Sequence, residues 1–186
     1  MIVVCSLSKY LVESVFKAAG KSFKRSFDAQ VKENQTASVI SIRSEGDLGS
    51  KAVYFVPWQP SADPQKLVQS IEQLVKNVVK KAASEDYQSI AFPAIGCGEY
   101  DCDIDLIART FVGKVRELLN KYSISVLFVI QPDKTNVYEK FRNEIGSSVE
   151  ATEQPISLTV EKGTIEVQKG DITKQDVSIA IIFSDR

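Results

Sequence analysis

The sequence predicts a three-layer α/β/α domain built on a mixed β-sheet. The apolar residues switch several times between the every-second-residue spacing of strands and the 3.6-residue spacing of helices. A chain of 186 residues that is 44% hydrophobic and 25% charged has the profile of one globular domain with a modest extension. Strands that alternate with helices are typical of a largely parallel sheet covered on both faces.

The chain begins with a short apolar run and two helical patterns. Residues 2–5 are apolar and read as a strand. Helical spacing follows over residues 11–19, where Gly20 is the expected end, and returns over residues 23–31. We therefore expect a strand followed by two consecutive helices.

A pair of strands and the clearest helix come next. Residues 37–43 and 51–57 are β-rich runs separated by a glycine-containing turn. Asp63 is a good capping residue, and Pro64 suits the first position of a helix. Apolar residues at helical spacing over residues 67–82 give this helix one buried face.

The middle of the chain repeats the strand-helix alternation. Residues 89–93 read as a buried strand, followed by a loop of small residues at 94–100. Asp103 is the expected cap of the next helix. Residues 124–130 then predict a strand, and residues 135–145 a helix that ends at a glycine.

The last forty residues lack the helical pattern. Residues 147–155 are polar, acidic and closed by a proline, which is typical of a linker. Three strand-like runs follow at residues 156–161, 164–169 and 177–183, and Lys162-Gly163 predicts a tight turn between the first two. We divide the chain into a body at residues 1–146, a linker at 147–155 and a tail at 156–186.

Composition excludes several kinds of site. The chain has no histidine, so the commonest general base and the commonest zinc ligand are both missing. The odd number of cysteines, three, predicts free thiols in a reducing, intracellular compartment, either cytoplasm or nucleus. We expect no metal site, no cofactor and no membrane span. The net charge of −1 gives no indication of nucleic-acid binding.

The loop after the strand at residues 89–93 is the first candidate site. Ligands of open α/β sheets bind beyond the carboxyl ends of the strands. Gly96 and Gly98 allow backbone amides to approach a ligand, and the helix that begins near Asp103 directs its amino end towards the same loop. This arrangement indicates an anion site, although a simple glycine turn would have the same sequence.

The stretch S-I-A-F-P-A-I-G-C-G-E-Y, residues 89–100, resembles the signature of macrodomains, the α/β modules that bind ADP-ribose. The resemblance implies that this loop wraps the diphosphate and the distal ribose. It assigns main-chain donors to Ile95, Gly96, Cys97, Gly98 and Glu99. By the same resemblance, Tyr100 would flank the distal ribose.

A second stretch, G-D-I-T at residues 170–173, resembles the macrodomain motif that reads adenine. The resemblance makes Asp171, with Ile172 beside it, the acceptor of the adenine amino group, and a carboxylate suits that role because it only accepts. The alternative is that Asp171 bonds the local backbone in a turn.

These two motifs stand in reversed order. In the family the adenine motif comes first, so residues 1–145 resemble a macrodomain without its first strands and residues 156–185 resemble those strands. The chain could span two members of a tandem array, or its tail could fold back like a circular permutation. Because open sheet edges are unfavourable, we expect residues 156–173 to pair with the main sheet, in the same chain or swapped into a homo-oligomer. We further expect residues 2–5 to keep the third-strand position and residues 177–183 to lie at an edge or in a partner molecule.

Parts of the family pattern are missing. The resemblance calls for an asparagine motif and a run of glycines where residues 2–8 stand, and for an aromatic residue where Gln131 stands. We therefore assign no catalytic residue, because Glu99 and Asp101 fit a solvated turn. The sequence favours a non-catalytic binder of ADP-ribose or ADP-ribosylated proteins within a multi-macrodomain protein, such as an ADP-ribosyltransferase. An ADP-ribosyl hydrolase and an interaction domain without ligand remain alternatives.

Overall fold

The computed structural model describes residues 9–98, 100–146, 156–175 and 179–182. Within these ranges the chain forms a mixed sheet with helices on both faces, which confirms the predicted α/β fold. The elements in chain order are α1 (Lys9–Glu33), β1 (Ile40–Arg43), β2 (Ala52–Phe55), α2 (Pro64–Ser84), β3 (Ser89–Pro93), α3 (Ile104–Leu119), β4 (Ser125–Ile130), α4 (Thr135–Gly146), β5 (Ile156–Val160), β6 (Gly163–Lys169) and β7 (Ile179–Ile182).

The seven strands form one sheet in the order β1-β2-β7-β3-β4-β6-β5. The five central strands run parallel, and an antiparallel strand closes each end, β1 against β2 and β5 against β6. The carboxyl ends of β2, β7, β3, β4 and β6 therefore meet along one edge of the sheet.

Two aromatic clusters mark the two faces of the sheet. On one face, the Phe55 ring of β2 packs against α1, with ring centroids 4.3 Å from Phe27 and 6.2 Å from Phe23. On the other face, the Phe128 ring of β4 lies 4.9 Å from Phe141 of α4 and 6.1 Å from Phe111 of α3. Since neighbouring residues of a strand point to opposite faces, the register from β2 to β4 places these clusters on opposite sides, giving three layers.

The helices begin where the sequence predicts. Asp63 caps α2, because its Oδ1 accepts hydrogen bonds from the amides of Gln65 (2.8 Å) and Lys66 (3.3 Å). The two helices expected before β1 are joined in α1, with a break at Gly20 (φ +84°, ψ 178°) where the expected end lies.

In the part of the chain that the structure describes, no helix combines the length and the apolar character needed to cross a membrane.

A polar cluster ties the end of α2 to β1 and β2. The hydroxyl of the fully buried Tyr54 donates a hydrogen bond to Glu85, and Lys81 holds the other carboxylate oxygen at 2.8 Å. Ser41 Oγ also donates to Glu85, at 3.3 Å. Partial burial raises the pKa of Glu85, but the bonds from Lys81 and Tyr54 outweigh burial and lower that pKa below its usual value.

The tail pairs with the main sheet within the same chain. β6 lies parallel to β4, with Ile165 opposite Val126 and Val167 opposite Phe128, and β5 continues the sheet antiparallel to β6. Ile165 and Val167 are fully buried. The turn between β5 and β6 is formed by Glu161 and Lys162, one residue earlier than predicted. The division into body, linker and tail stays a prediction, and residues 147–155 lie outside the described ranges.

The position predicted for residues 177–183 is wrong. β7 (Ile179–Ile182) is not at an edge but lies between β2 and β3, parallel to both. A strand in the middle of a parallel sheet is covered on both faces, and the nearly continuous apolar run of this segment is typical of that position. Residues 2–5, for which we expected this place, lie outside the described residues.

Candidate functional site

The carboxyl edge of the parallel strands gathers the segments that the sequence singled out. The loop at residues 94–103 follows β3, Gln131 follows β4, and residues 170–174 follow β6. Because β4 separates β3 from β6, and neighbouring strands lie about 4.8 Å apart, the first and last of these segments begin roughly 10 Å from each other. Both macrodomain-like motifs therefore lie on one edge, although they are far apart in sequence.

The loop at residues 94–103 is held by its own backbone. The amide of Ile95 donates to Pro93 O at 2.9 Å, and the amide of Cys97 donates to Ala94 O at 3.2 Å. The amide of Cys102 then closes the loop onto Gly96 O at 3.2 Å. Two of the five main-chain donors that the resemblance assigned are therefore already engaged inside the loop.

The amides of Gly96 and Gly98 differ from those of Ile95 and Cys97, because they make no such hydrogen bond among the described residues. In the part of the chain that the structure describes, neither Gly96 N–H nor Gly98 N–H donates to an acceptor. Gly96 is buried and Gly98 is exposed. Backbone amides inside proteins are nearly always hydrogen-bonded, so these two donors call for an acceptor that the described residues do not supply. Glu99 lies outside the described residues.

The backbone at Gly96 requires glycine. Its φ of +84° lies in the left-handed region, where a side chain is strained. A Cβ at this position would stand 3.0 Å from Cδ1 of Ile107 and 3.4 Å from Cη2 of Trp58. The loop can therefore pack closely on α3 only because this residue has no side chain.

The amino end of α3 offers less to a ligand than the sequence suggested. The Oδ1 atom of Asp103 accepts from the amides of Asp105 (2.9 Å) and Leu106 (3.1 Å). This is the N-cap that the sequence predicts, and it satisfies two of the amides at this helix end. The glycine amides of the loop thus remain the better candidate donors.

Tyr100 is fixed against a residue that the sequence analysis did not single out. Its ring meets Trp58 edge to face, with centroids 5.6 Å apart and an interplanar angle of 83°. Trp58 is 7% exposed, and its Nε1 donates to Ser70 Oγ of α2 at 3.1 Å. Its place in the sequence could have identified Trp58 as a site residue, because it follows β2 at the same carboxyl edge of the sheet.

The two cysteines of the loop are neutral thiols. Burial raises the pKa of Cys97 to about 12, with the nearby Cys102 adding to the shift. Burial also raises the pKa of Cys102, with the charge of Asp101 adding to the shift. A thiol must ionise to act as a nucleophile, so these side chains are packing residues at neutral pH.

Asp171 has one oxygen engaged locally and one that faces outward. Its Oδ1 accepts from Thr173 N (2.9 Å) and Thr173 Oγ1 (2.7 Å), which caps the short 3-10 turn at Ile172–Lys174. Its Oδ2 lies 3.7 Å from Lys174 Nζ, and the side chain is 49% exposed. Ile172 is 6% exposed and belongs to the core.

The carboxyl group of Asp171 is ionised at neutral pH. Partial burial raises its pKa, but the bonds from Thr173 and the charge of Lys174 together lower the pKa below its usual value. The local-turn role considered in the sequence analysis is therefore present. It leaves Oδ2 as a possible acceptor for another donor.

Comparison with known proteins identifies the family. The Macro domain family model matches residues 8–111, which include the glycine loop and leave out β4–β7. The Oceanobacillus iheyensis macrodomain with ADP superimposes with a TM-score of 0.66 at 16% identity, covering 77% of this chain and 80% of that one. A mutant of the same macrodomain with ADPR gives a TM-score of 0.64 at 15% identity, covering 77% and 82%.

A further similar structure is the macro domain of ganglioside induced differentiation associated protein 2. It has a TM-score of 0.62 and 18% identity over 75% of this chain and 73% of that one. The fold is thus shared at low identity, and the family model matches more than half of the sequence. This chain belongs to the macrodomain family.

Proposed function

We propose that this macrodomain binds ADP-ribose, free or attached to a protein, without hydrolysing it. The observation that carries the proposal is the pair of glycine amides, Gly96 and Gly98, without acceptors among the described residues. Phosphate oxygens are strong acceptors, and open amides in a glycine-rich loop are well suited to them. The likeness to macrodomain structures with ADP and with ADPR supports the choice of ligand.

Asp171 supplies the second part of the proposed site. Its Oδ2 is an acceptor on the same edge of the sheet, roughly two strands from the loop. An exocyclic amine such as that of adenine is a donor that a carboxylate satisfies. The diphosphate and the adenine of ADP-ribose would thus be held by segments that come from distant parts of the sequence.

The residue types available support the proposed absence of hydrolysis. The whole chain has no histidine, and neither residues 2–8 nor residues 179–185 contain an asparagine. The raised pKa values of Cys97 and Cys102 keep both thiols neutral at pH 7, and among the described residues Asp101 makes no ion pair. We propose that the chain works in a reader role, as one macrodomain of an intracellular ADP-ribosylation protein that contains several.

Calorimetric titration with ADP-ribose tests the proposal. A Cβ at Gly98 meets nothing within 4 Å, so Gly98→Val should fold normally while its side chain stands between the amides and a ligand. We expect the affinity for ADP-ribose to fall at least about tenfold, equivalent to about 1.4 kcal/mol. Gly113→Val is the matched control, since Gly113 is an exposed glycine of α3 with equally empty surroundings.

Two results would overturn the proposal. One is a wild-type protein that gives no binding heat with ADP-ribose at millimolar concentration. The other is equal loss of affinity in Gly98→Val and Gly113→Val. Release of ADP-ribose from a modified protein at a rate comparable with that of an active macrodomain hydrolase would refute the non-catalytic part alone.

A further inference from the structure

A cleft of about 710 Å³ lies between the amino ends of α2 and α3, and residues 100–103 of the loop line part of it. Its apolar lining includes Pro60, Pro64, Leu67 and Leu106. Tyr100 forms part of its wall, held there by Trp58. A cleft of this volume, lined by both apolar and charged residues, has the dimensions of a ligand-binding site.

The charges around the cleft favour a cation. Asp101, Asp103 and Arg109 line it. The guanidinium of Arg109 has a carboxylate partner already, since its Nε lies 3.9 Å from Glu144 Oε1. Among the described residues neither Asp101 nor Asp103 makes an ion pair, but Asp103 caps α3, so the carboxylate of Asp101 is the uncompensated charge of the cleft.

The positive amino ends of α2 and α3 do not make the cleft favourable for an anion. Each helix amino end carries the equivalent of about half a positive charge. That of α2 faces the carboxylate of Asp63, and that of α3 faces the carboxylate of Asp103. Both carboxylates also take up amides that an anion would need. The cleft is therefore a poor phosphate site, unlike the glycine loop beside it.

We propose that this cleft binds a peptide segment in which an arginine or lysine is flanked by apolar residues. The apolar neighbours lie on the proline and leucine lining, and the cation meets Asp101 at the rim. Long cationic side chains combine an apolar stem with a charged end, which matches this lining. Among the described residues assigned to the proposed ADP-ribose site, Tyr100 alone also lines this cleft.

A matched pair of peptides tests the proposal on the intact chain in the absence of ADP-ribose. The probes are acetyl-Leu-Arg-Leu-amide and the same peptide with citrulline, which has nearly the same shape without the charge. Titration of ¹⁵N-labelled protein should shift the amide signals of residues 61–63, 65–67 and 100–106. We expect the arginine peptide to bind at least about threefold more tightly, the range of an exposed ion pair.

Two substitutions test whether Asp101 is the carboxylate that binds the arginine of the peptide. Asp101 has φ +47° and Asp86 has φ +58°, and asparagine tolerates this backbone region nearly as well as aspartate. Asp101→Asn should lower the affinity for the arginine peptide about threefold and leave the citrulline peptide unchanged. Asp86→Asn, in the turn after α2, should change neither affinity.

Three results would each overturn the proposal. They are equal binding of the two peptides, absence of shifts in the cleft, and competition by inorganic phosphate for the same amides. None of these results depends on whether the protein binds ADP-ribose.

Discussion

Replacing Asp171 by asparagine should exchange the base preference of the proposed site. In the native protein, Oδ1 accepts two hydrogen bonds from Thr173 and Oδ2 faces outward beside Lys174. Asparagine can keep both Thr173 bonds through its carbonyl oxygen, which turns its amide nitrogen outward. The outward group then changes from acceptor to donor while the turn is preserved.

The magnitude follows from the exposure of the group. A hydrogen bond to a charged partner contributes about 1.5–3 kcal/mol when it is well shielded. The Asp171 side chain is 49% exposed, so we take the lower end. ADP-ribose, whose adenine presents an amino donor, should bind roughly tenfold more weakly to Asp171→Asn. The analogue of ADP-ribose with hypoxanthine in place of adenine presents a carbonyl acceptor instead. It should bind to Asp171→Asn at least as tightly as to the native protein.

Calorimetry with both ligands on both proteins gives a complete cycle of four affinities. A thermal melt of each protein checks that the turn is intact. The reasoning is refuted if the substitution weakens both ligands by the same factor, because Asp171 would then act through the turn and not through the base. The affinity of the native protein should also be constant from about pH 5 to 8, since the lowered pKa keeps Asp171 ionised throughout.

Two further predictions concern stability. Gly163→Ala should lower the free energy of unfolding by on the order of 2–3 kcal/mol, because the new Cβ would stand 2.1 Å from the Ile124 carbonyl oxygen. Gly113→Ala, with nothing within 4 Å, should instead raise it by up to about 1 kcal/mol, and equal urea midpoints for the two variants would contradict the docking of β6. Glu85→Gln should flatten the acid limb of the stability curve. The folded-state pKa of Glu85 is lowered, so its contribution is present above the unfolded value near 4.3 and is lost as pH falls through the lower folded value. Urea titrations from pH 3 to 7 measure this, and identical acid limbs in the native protein and Glu85→Gln would refute it.

The sequence predicts local structure well because caps and periodicity act locally. Asp63 and Asp103 begin helices as expected, since their side chains satisfy amides two and three residues away. The pairing of residues 156–173 with the main sheet could be predicted because an apolar hairpin needs a sheet to cover it, but the partner strand β4 could not.

The position of β7 could not be predicted from pairing arguments alone. Periodicity tells that a segment is a strand but not which neighbours it takes. The available signal was the difference between the alternating pattern at residues 156–160 and the continuous apolar run at residues 179–182. Continuous runs are typical of strands covered on both faces, and alternation is typical of the half-exposed edge.

The candidate site was predicted in its location more than in its detail. The glycine loop and Asp171 were recognisable as motifs, and the fold places both on one edge. Sequence reasoning missed Trp58, because its role depends on a long-range contact with Tyr100. It also overestimated the free donors of the loop, since the bonds of Ile95 and Cys97 depend on turn geometry that the residue types leave open.

The central place of β7 has a consequence for the order of folding. Its partners in β2 lie more than a hundred residues earlier in the chain. Pairing between such distant segments requires closure of a long loop before any contact rewards it, which slows folding. Until β7 inserts, β2 and β3 expose facing rows of unsatisfied backbone groups, and such open strands readily pair with another molecule. We therefore expect the last step of folding to be both the slowest and the one most sensitive to protein concentration.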